Sequence, residues 1–373
     1  MPTPTPPMAD DLVVVGGGIT GQAAALAAAE AGARVTLIDW GRNAGSAANA
    51  GSLHVQMQSR FLRLNPHLAE NVERSLPLYR AAVAEWARLD AALGGVEMSR
   101  EGGLMLAETP AQMAFLETKA ARERAQGLDV DLLDRGALDR IAPYLGPGLV
   151  GAELCRDEGK INPLVANARM TTRLEALRVR RVRDRIVSVT AEQAEGTDRY
   201  PARAVLVAAA WGSGALLPML AMPTPPEPLH MNITEAGDYR IRHLVQHAER
   251  SITLKQFRSG QVVIGGGWPA EGGADGTPAV LSRSMAANVA LAGRIAPGIA
   301  GLRVIRTWAG LNTPVDGKAT IGPVAPGAAL HVALPGDAGY TLGPIVGRAA
   351  AAVALGLEPP VDPAPYSPER WRQ

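Results

Sequence analysis

The residues most able to do chemistry open the chain. Gly16, Gly18 and Gly21 sit in the spacing Gly-x-Gly-x-x-Gly, with Ile19 and Thr20 inside it, and Asp39 follows 18 positions after Gly21. Each glycine has a distinct task in such a turn. Gly16 permits a tight exit from a strand, Gly18 lets backbone approach a pyrophosphate, and Gly21 lets a helix pack close to a sheet. A helix starting there points unpaired N–H groups at phosphate, and a carboxylate at Asp39 accepts ribose hydroxyls and repels a 2′-phosphate. The unit alone accommodates either FAD or NAD. A second stretch, Gly45-Ser46-Ala47-Ala48-Asn49-Ala50-Gly51-Ser52-Leu53-His54-Val55-Gln56, is small and polar, as suits a loop threading close to a ligand.

Elements must position these residues. Asp11–Val15 reads as a short buried strand, the Ala-rich run to Ala31 as a helix, and Arg34–Asp39 as a second strand. Together they form one βαβ unit. His67–Leu93 carries an apolar stripe of helical period, Leu68, Val72, Leu76, Tyr79, Val83 and Trp86. Short strands are expected near Val96–Ser99 and Gly103–Ala107, then a charged helix, Ala111–Gln126, whose charges read as a solvated face. Asn162-Pro163 supplies an N-cap and N1 pair for a helix over Leu164–Leu177. Arg178–Arg185 alternates arginine with Val179, Val182 and Ile186, the pattern of a strand with a solvated basic face. Ala204–Ala209 reads as a buried strand leading to Trp211. After the proline-rich stretch Pro223–Pro228, strands are expected at Leu229–Glu235, Ile241–Gln246, Ser251–Phe257 and Gln261–Gly265, with a hairpin turn at Arg258-Ser259-Gly260. A helix over Ala279–Ile295, strands at Leu302–Gly310, Ala319–Gly322 and Ala329–Leu334, and a last helix ending at Leu355 complete the pattern.

Composition narrows the function classes. The 373 residues carry 37 Lys+Arg against 36 Asp+Glu, so there is no electrostatic footprint for nucleic acid. The single cysteine, Cys155, excludes a disulfide framework and a cluster held by this chain's cysteines, and no metal site is expected. No apolar run reaches the roughly 20 residues that cross a bilayer. The Pro/Thr-rich start lacks the parts of a signal peptide, residues 1–8 read as a disordered tail, and a cytoplasmic protein is expected.

The ordered set of motifs resembles the FAD-dependent D-amino-acid oxidase family over nearly the whole chain. The likeness rests on the N-terminal glycine unit, the Gly45–Gly51 loop, Asn162-Pro163, Trp308-Ala309-Gly310-Leu311 with Asp316-Gly317, and Gly339-Tyr340-Thr341-Leu342-Gly343. Within the family, the chain is most similar to the FAD-binding B subunits of opine oxidases, D-hydroxyproline dehydrogenases and hydrogen cyanide synthase. Gly51–Gln56, Ile252-Thr253-Leu254-Lys255-Gln256, Gly265-Gly266-Gly267-Trp268-Pro269 and Gly343-Pro344-Ile345 carry that narrower likeness.

The resemblance implies an α/β protein of two parts. A discontinuous Rossmann-like FAD domain would comprise 9–50, 150–220 and 319–373. A substrate domain with a large mixed or antiparallel sheet would comprise 51–149 and 221–318. It implies oxidation of a CH–NH bond in an opine, D-amino acid or D-hydroxyproline type of substrate, with hydride transfer to flavin N5. Electrons would pass to partner subunits with further redox centres, such as a second flavin subunit or an iron-sulfur protein. FAD contacts are implied for Gly16, Gly18, Ile19, Thr20, Gly21, Asp39, Trp40, Ser46, Asn49, Ala50, Gly51, Ser52, Leu53, Val179, Ala209, Trp211, Gly310, Gly336, Gly339, Tyr340, Thr341 and Leu342. Gly339–Gly343 precedes the last helix, so its N–H groups would meet negative charge at flavin N1 and C2=O. Lys255 and His54 are the catalytic candidates, and Lys255, Asn312, Trp308 and Tyr340 the substrate-binding ones. No residue stands for a covalent link, so FAD is expected to be non-covalent.

Three departures from the family pattern stand out. Asn312 follows Leu311 where many members place an arginine that clamps a substrate carboxylate. Ala209 replaces a glycine before Trp211. The segment from Asn162 to Val207 is about ten residues short by eye against family spacing. Two rivals follow: a self-sufficient oxidase of glycine-, sarcosine- or D-amino-acid-oxidase type that makes hydrogen peroxide, and a non-catalytic nucleotide-fold binding protein.

Overall fold

The computed structural model describes residues 9–42, 45–238, 240–272 and 276–372. The tail expected to be disordered, 1–8, lies outside the described residues. The chain divides into two compact units. The first takes its described residues from 9–42, 167–225 and 318–372, the second from 45–166, 226–238, 240–272 and 276–317.

In the first unit, Asp10–Val15 is a strand because its Val-rich side chains are buried on both faces, as a parallel sheet requires. It pairs in parallel with Val35–Asp39 on one side and Arg199–Val207 on the other. Leu330–Leu334 continues the parallel order beyond Arg199–Val207, and Arg180–Arg183 continues it beyond Val35–Asp39. Thr320–Pro323 closes the far edge antiparallel to Leu330–Leu334. The basic strand over 178–185 thus forms at Arg180–Arg183, with Arg180, Arg181 and Arg183 exposed. Two short strands, Ser188–Val189 and Gln193–Glu195, extend the sheet along Arg199–Val207.

Helices Ile19–Glu30 and Gly339–Ala354 pack against each other by glycine contact. A Cβ on Gly347 would lie 2.1 Å from the Thr20 carbonyl oxygen, and one on Gly343 would lie 2.7 Å from Ile19 Cγ2. Only hydrogen at both positions permits that approach.

The second unit is built on a sheet ordered Val304–Asn312, Glu227–Ala236, Gln261–Gly265, Thr253–Gln256, Leu244–His247, Gly103–Ala107, Gly151–Cys155, Val130–Asp134. All pairings are antiparallel except that of Leu244–His247 with Gly103–Ala107. Leu104, Leu106, Ala152, Leu154, Val245 and Leu254 turn to one face, where Ala292 and Ile295 of helix Ser282–Ile295 join an apolar core. Alternation places Met105, Glu153, Gln246 and Lys255 on the opposite face. Gln246, Met105 and Glu153 lie in register across three neighbouring strands. The hairpin at Arg258-Ser259-Gly260 forms as expected, with Gly260 at φ +92°.

Some elements differ from expectation. Val96–Ser99 forms no strand; Ser99 makes a single bridge to Lys160. Gly45–Ala48, expected as loop, is a four-residue helix. The strands Val130–Asp134 and Gly151–Cys155 were not foreseen. Val130–Asp134 is the edge strand and carries two aspartates, so its apolar signal is short and broken.

Candidate active site

In the first unit the glycines build a cradle. Val15 ends the first strand and Gly16 turns at φ +110°, its N–H donating to the Ile38 carbonyl at 2.8 Å. A Cβ on Gly16 would lie 2.3 Å from the Ala208 carbonyl oxygen, and one on Gly21 would lie 1.8 Å from that of Gly16. Gly17 N–H donates to Asp39 Oδ2 at 2.6 Å, and Gly41 N–H to Asp39 Oδ1 at 2.6 Å. Asp39 is thereby held at the mouth of the glycine turn.

Gly18 caps helix Ile19–Glu30 without any side-chain hydrogen bond, and no acidic residue stands in its first turn. Helix Gly339–Ala354 likewise has no side-chain cap and no acid in its first turn. Both helices begin just past the carboxyl ends of parallel strands, Asp10–Val15 and Leu330–Leu334, and Gly343 meets Ile19 and Thr20. Two helix N-termini, neither capped by the side chain of its own N-cap residue, therefore lie in one unit at the carboxyl ends of parallel strands, where α/β folds bind nucleotides. A dinucleotide with a pyrophosphate fits this site, because the glycine turn lets backbone come close and a helix start carries positive charge toward phosphate oxygens.

Other expected cofactor residues belong to the same unit. Trp40 is flanked by the guanidinium groups of Arg42 and Arg185, at 5.6 and 4.8 Å from its ring centroid. Val179 is buried beside the strand Arg180–Arg183. Ala209 sits at φ −90°, where a methyl group is unstrained, and the left-handed φ falls instead on Ala210 at +49°. The Trp211 carbonyl accepts from Thr224 Oγ1 at 3.0 Å. Gly336 turns at φ +75°, and Tyr340 is buried with its hydroxyl donating to Asn167 Oδ1 at 3.1 Å. Thr341 and Leu342 are buried in the same helix.

The second unit holds the remaining candidates. Gly45–Ala48 packs on the strand Val304–Asn312: Trp308 Nε1 donates to the Ala48 carbonyl at 2.7 Å, and a Cβ on Gly310 would lie 2.5 Å from Ala48 Cβ. Ser46 is half-buried in this short helix. Asn49 Oδ1 accepts from Gly51 N–H at 2.8 Å, and Ala50 lies between them, half-buried. Gly51 turns at φ +79° against Ile161 and Pro163. Ser52–Leu53 then pairs with Gly159–Lys160. Asn312 Nδ2 donates to Glu227 Oε2 at 3.1 Å, and the Asp316 carbonyl accepts from Asn71 Nδ2.

Lys255 is fully buried, and its Nζ donates to Ser52 Oγ at 2.8 Å. Among the described residues that is its one hydrogen-bond partner. Burial, and secondarily the charge of Lys160, pulls its pKa down to about 7. Burial and the charge of Lys255 hold His54 down at about 3, so its ring is neutral and its 4.0 Å approach to Glu158 is not an ion pair.

The sequence reading missed a buried polar cluster beside these residues. Lys119 and Glu123 of helix Pro110–Ala125 are buried, which corrects the expectation of a solvated face there. Their i,i+4 spacing looks the same on an exposed helix, so nothing in the local pattern gave it away. Lys119 Nζ donates to Glu123 Oε1 at 2.7 Å, Glu153 Oε1 at 2.9 Å and Gln56 Oε1 at 3.3 Å. Burial drives the Glu153 pKa upward against the pull of Lys119, with the Glu123 carboxyl adding to the rise. Glu158, also fully buried, accepts from Gln56 and Gln246 side chains.

The family profile described as FAD dependent oxidoreductase (DAO) matches residues 11–353. A glycine oxidase from Geobacillus kaustophilus superposes with TM-score 0.80 at 20% identity, covering 96% of this chain and 98% of its own. An iminodiacetate oxidase from Chelativorans sp. BNC1 does so with TM-score 0.80 at 23% identity, covering 96% and 98%. An L-proline dehydrogenase from P. horikoshii gives TM-score 0.82 at 19% identity, covering 98% of each chain. No curated protein matches the sequence.

Proposed function

The chain belongs to the DAO family of FAD-dependent oxidoreductases, and we propose that it oxidises the CH–NH bond of an amino acid or N-substituted amino acid. Bound FAD supplies an acceptor for the hydride that leaves the carbon next to nitrogen. The residues that would hold it in the first unit are Gly16, Gly18, Ile19, Thr20, Gly21, Asp39 and the Gly339–Leu342 helix start. Ser46, Asn49, Ala50, Gly51, Ser52, Leu53 and Gly310, also expected to contact FAD, belong to the second unit. The flavin would be dissociable, since no cysteine or histidine stands among the residues expected to contact it.

The observation that carries the amine reading is Lys255. A buried Nζ with one hydroxyl partner keeps donors open for a substrate carboxylate or an ordered water. Its lowered pKa lets the same nitrogen take a proton from a substrate ammonium, which must be neutral before hydride can leave. Neutral His54, Trp308 and Asn312 are the further groups of the second unit proposed to line the substrate side, and Tyr340 is the candidate from the first unit. Glycine, iminodiacetate and proline, named with the similar solved structures, share a carboxylate one carbon from nitrogen.

We assign the substrate to the opine, D-amino-acid or D-hydroxyproline type, and reoxidation to a partner subunit with further redox centres. The FAD-loaded chain, given such substrates, should reduce a dye acceptor and release little hydrogen peroxide in air. Rapid peroxide release by the isolated chain would favour the second reading, a self-sufficient oxidase, which the likeness to two oxidases supports.

A further inference from the structure

The loop that carries Ser52 and His54 is fastened by a carboxylate outside it. Glu158 lies in the turn before Gly159–Lys160 and has no solvent exposure. Its Oε1 accepts from Val55 N–H at 2.8 Å and Gln56 N–H at 3.2 Å. Its Oε2 accepts from Gln56 Nε2 at 2.8 Å and Gln246 Nε2 at 2.9 Å. Among the described residues, the four hydrogen-bond partners of this carboxyl are all donors. The fit is built into the sheet: a Cβ on Gly103 would lie 1.8 Å from Glu158 Oε2. The next amide along, Met57 N–H, donates to Glu123 Oε1 at 2.6 Å. Three successive N–H groups of one loop thus end on buried carboxylates.

We propose that Glu158 is a positioning residue, whose carboxylate holds residues 52–57 so that Ser52 stays on Lys255 and His54 keeps its place. Its role in turnover rests on the amine-oxidising reading of Lys255; the fastening of the loop does not. The charge state of Glu158 sets the strength of the hold, because a carboxylate accepts from N–H groups more strongly than a neutral acid. A protonated Glu158 would turn an O–H toward donors. Gln246 offers the remedy, since its Oε1 is buried with no partner among the described residues and comes to Glu158 when the amide rotates. Several groups bear on the titration. Lys119 acts on it from helix Pro110–Ala125, in turn paired with Glu123 and Glu153; Cys155 feels its charge from the strand Gly151–Cys155, Asp157 precedes it in its own turn, and His54, itself held down by burial and the charge of Lys255, lies 4.0 Å from its Oε1. Burial outweighs the hydrogen bonds of Gln56 and Val55 and the charge of Lys119, and brings the Glu158 pKa up to about 7.

Amide hydrogen exchange on the FAD-loaded full chain tests this. Protection factors of Val55 and Gln56 are expected to rise about tenfold from about pH 5.5 to pH 8.5, with a midpoint near 7. Glu158→Gln should show the low-pH protection throughout, with no midpoint, while amides of the strand Asp10–Val15 stay unchanged. Equal protection at both pH values in the wild type overturns the proposal, and that series stands alone if the variant does not fold. So does a Glu158→Gln profile identical to the wild type. With an amine substrate, Glu158→Gln should lower kcat about tenfold, change KM less than about twofold and lose the limb near pH 7. If no amine is oxidised, the exchange result still decides whether Glu158 fastens the loop.

Discussion

An ammonium group buried without a carboxylate is unfavourable, and Lys255 is such a group. Its pKa of about 7 lies below the usual lysine value, so the folded chain binds fewer protons there than the unfolded chain. Stability from this site therefore rises with pH from about 7 toward the normal lysine range, and the full penalty is present below 7. Lys255→Met keeps the length and removes the charge. It is expected to lower kcat/KM at least about 100-fold and to raise the melting temperature by about 2–4 °C at pH 6. The stabilisation should shrink toward pH 9. A thermal melt at both pH values, together with steady-state kinetics, checks both signs. A variant that melts lower at pH 6 would mean that Lys255 is paired in a way that offsets its burial. The sequence showed Lys255 within an apolar-alternating strand but left its face open. Tertiary packing settles it: Leu254 turns to the apolar core and Lys255 to the polar face.

Among the elements, the two glycine-started helices depend on each other. The Thr20 carbonyl oxygen stands 2.1 Å from where a Gly347 Cβ would be, and backbone has no rotamer by which to retreat. Gly347→Val is expected to force the helices apart and destabilise the first unit by about 3 kcal/mol. FAD retention should fall with it, although position 347 is not a proposed contact. Flavin content after gel filtration, with the melting temperature, measures both. The βαβ unit was legible in the sequence because each of its rules is local: strand run, glycine spacing, helix, second strand, acid. Gly347 was not singled out, because its reason is a partner helix more than 300 positions away in sequence. The buried cluster of Lys119, Glu123, Glu153 and Glu158 escaped for the same reason. Its members come from helix Pro110–Ala125, the strand Gly151–Cys155 and the turn after that strand, and read locally as surface charges. The N-cap at Asn162 was legible, and Asn162 Oδ1 accepts from Leu164 N–H at 3.1 Å.

At the scale of the whole molecule, a nucleotide cradle sits in one unit and Lys255 and His54 in the other. A dissociable flavin follows from the proposed contacts, which are hydrogen bonds and packing. Acid precipitation should leave all flavin in the supernatant and a colourless pellet; a yellow pellet would reveal a covalent link. Among the described residues no helix is long and apolar enough to cross a membrane, and no cluster of His, Cys, Asp and Glu is arranged for a metal ion. Redox centres beyond FAD would come from a partner in the proposed scheme. The most direct test of the central claim is an anaerobic absorbance titration of the FAD-loaded chain. The panel would contain opines, D-amino acids and prolines. The account expects the visible flavin band to bleach with at least one compound that carries a carboxylate one carbon from an amine, and to bleach at least about 100-fold more slowly in Lys255→Met. A band that dithionite bleaches, but that no member of the panel changes, would contradict it.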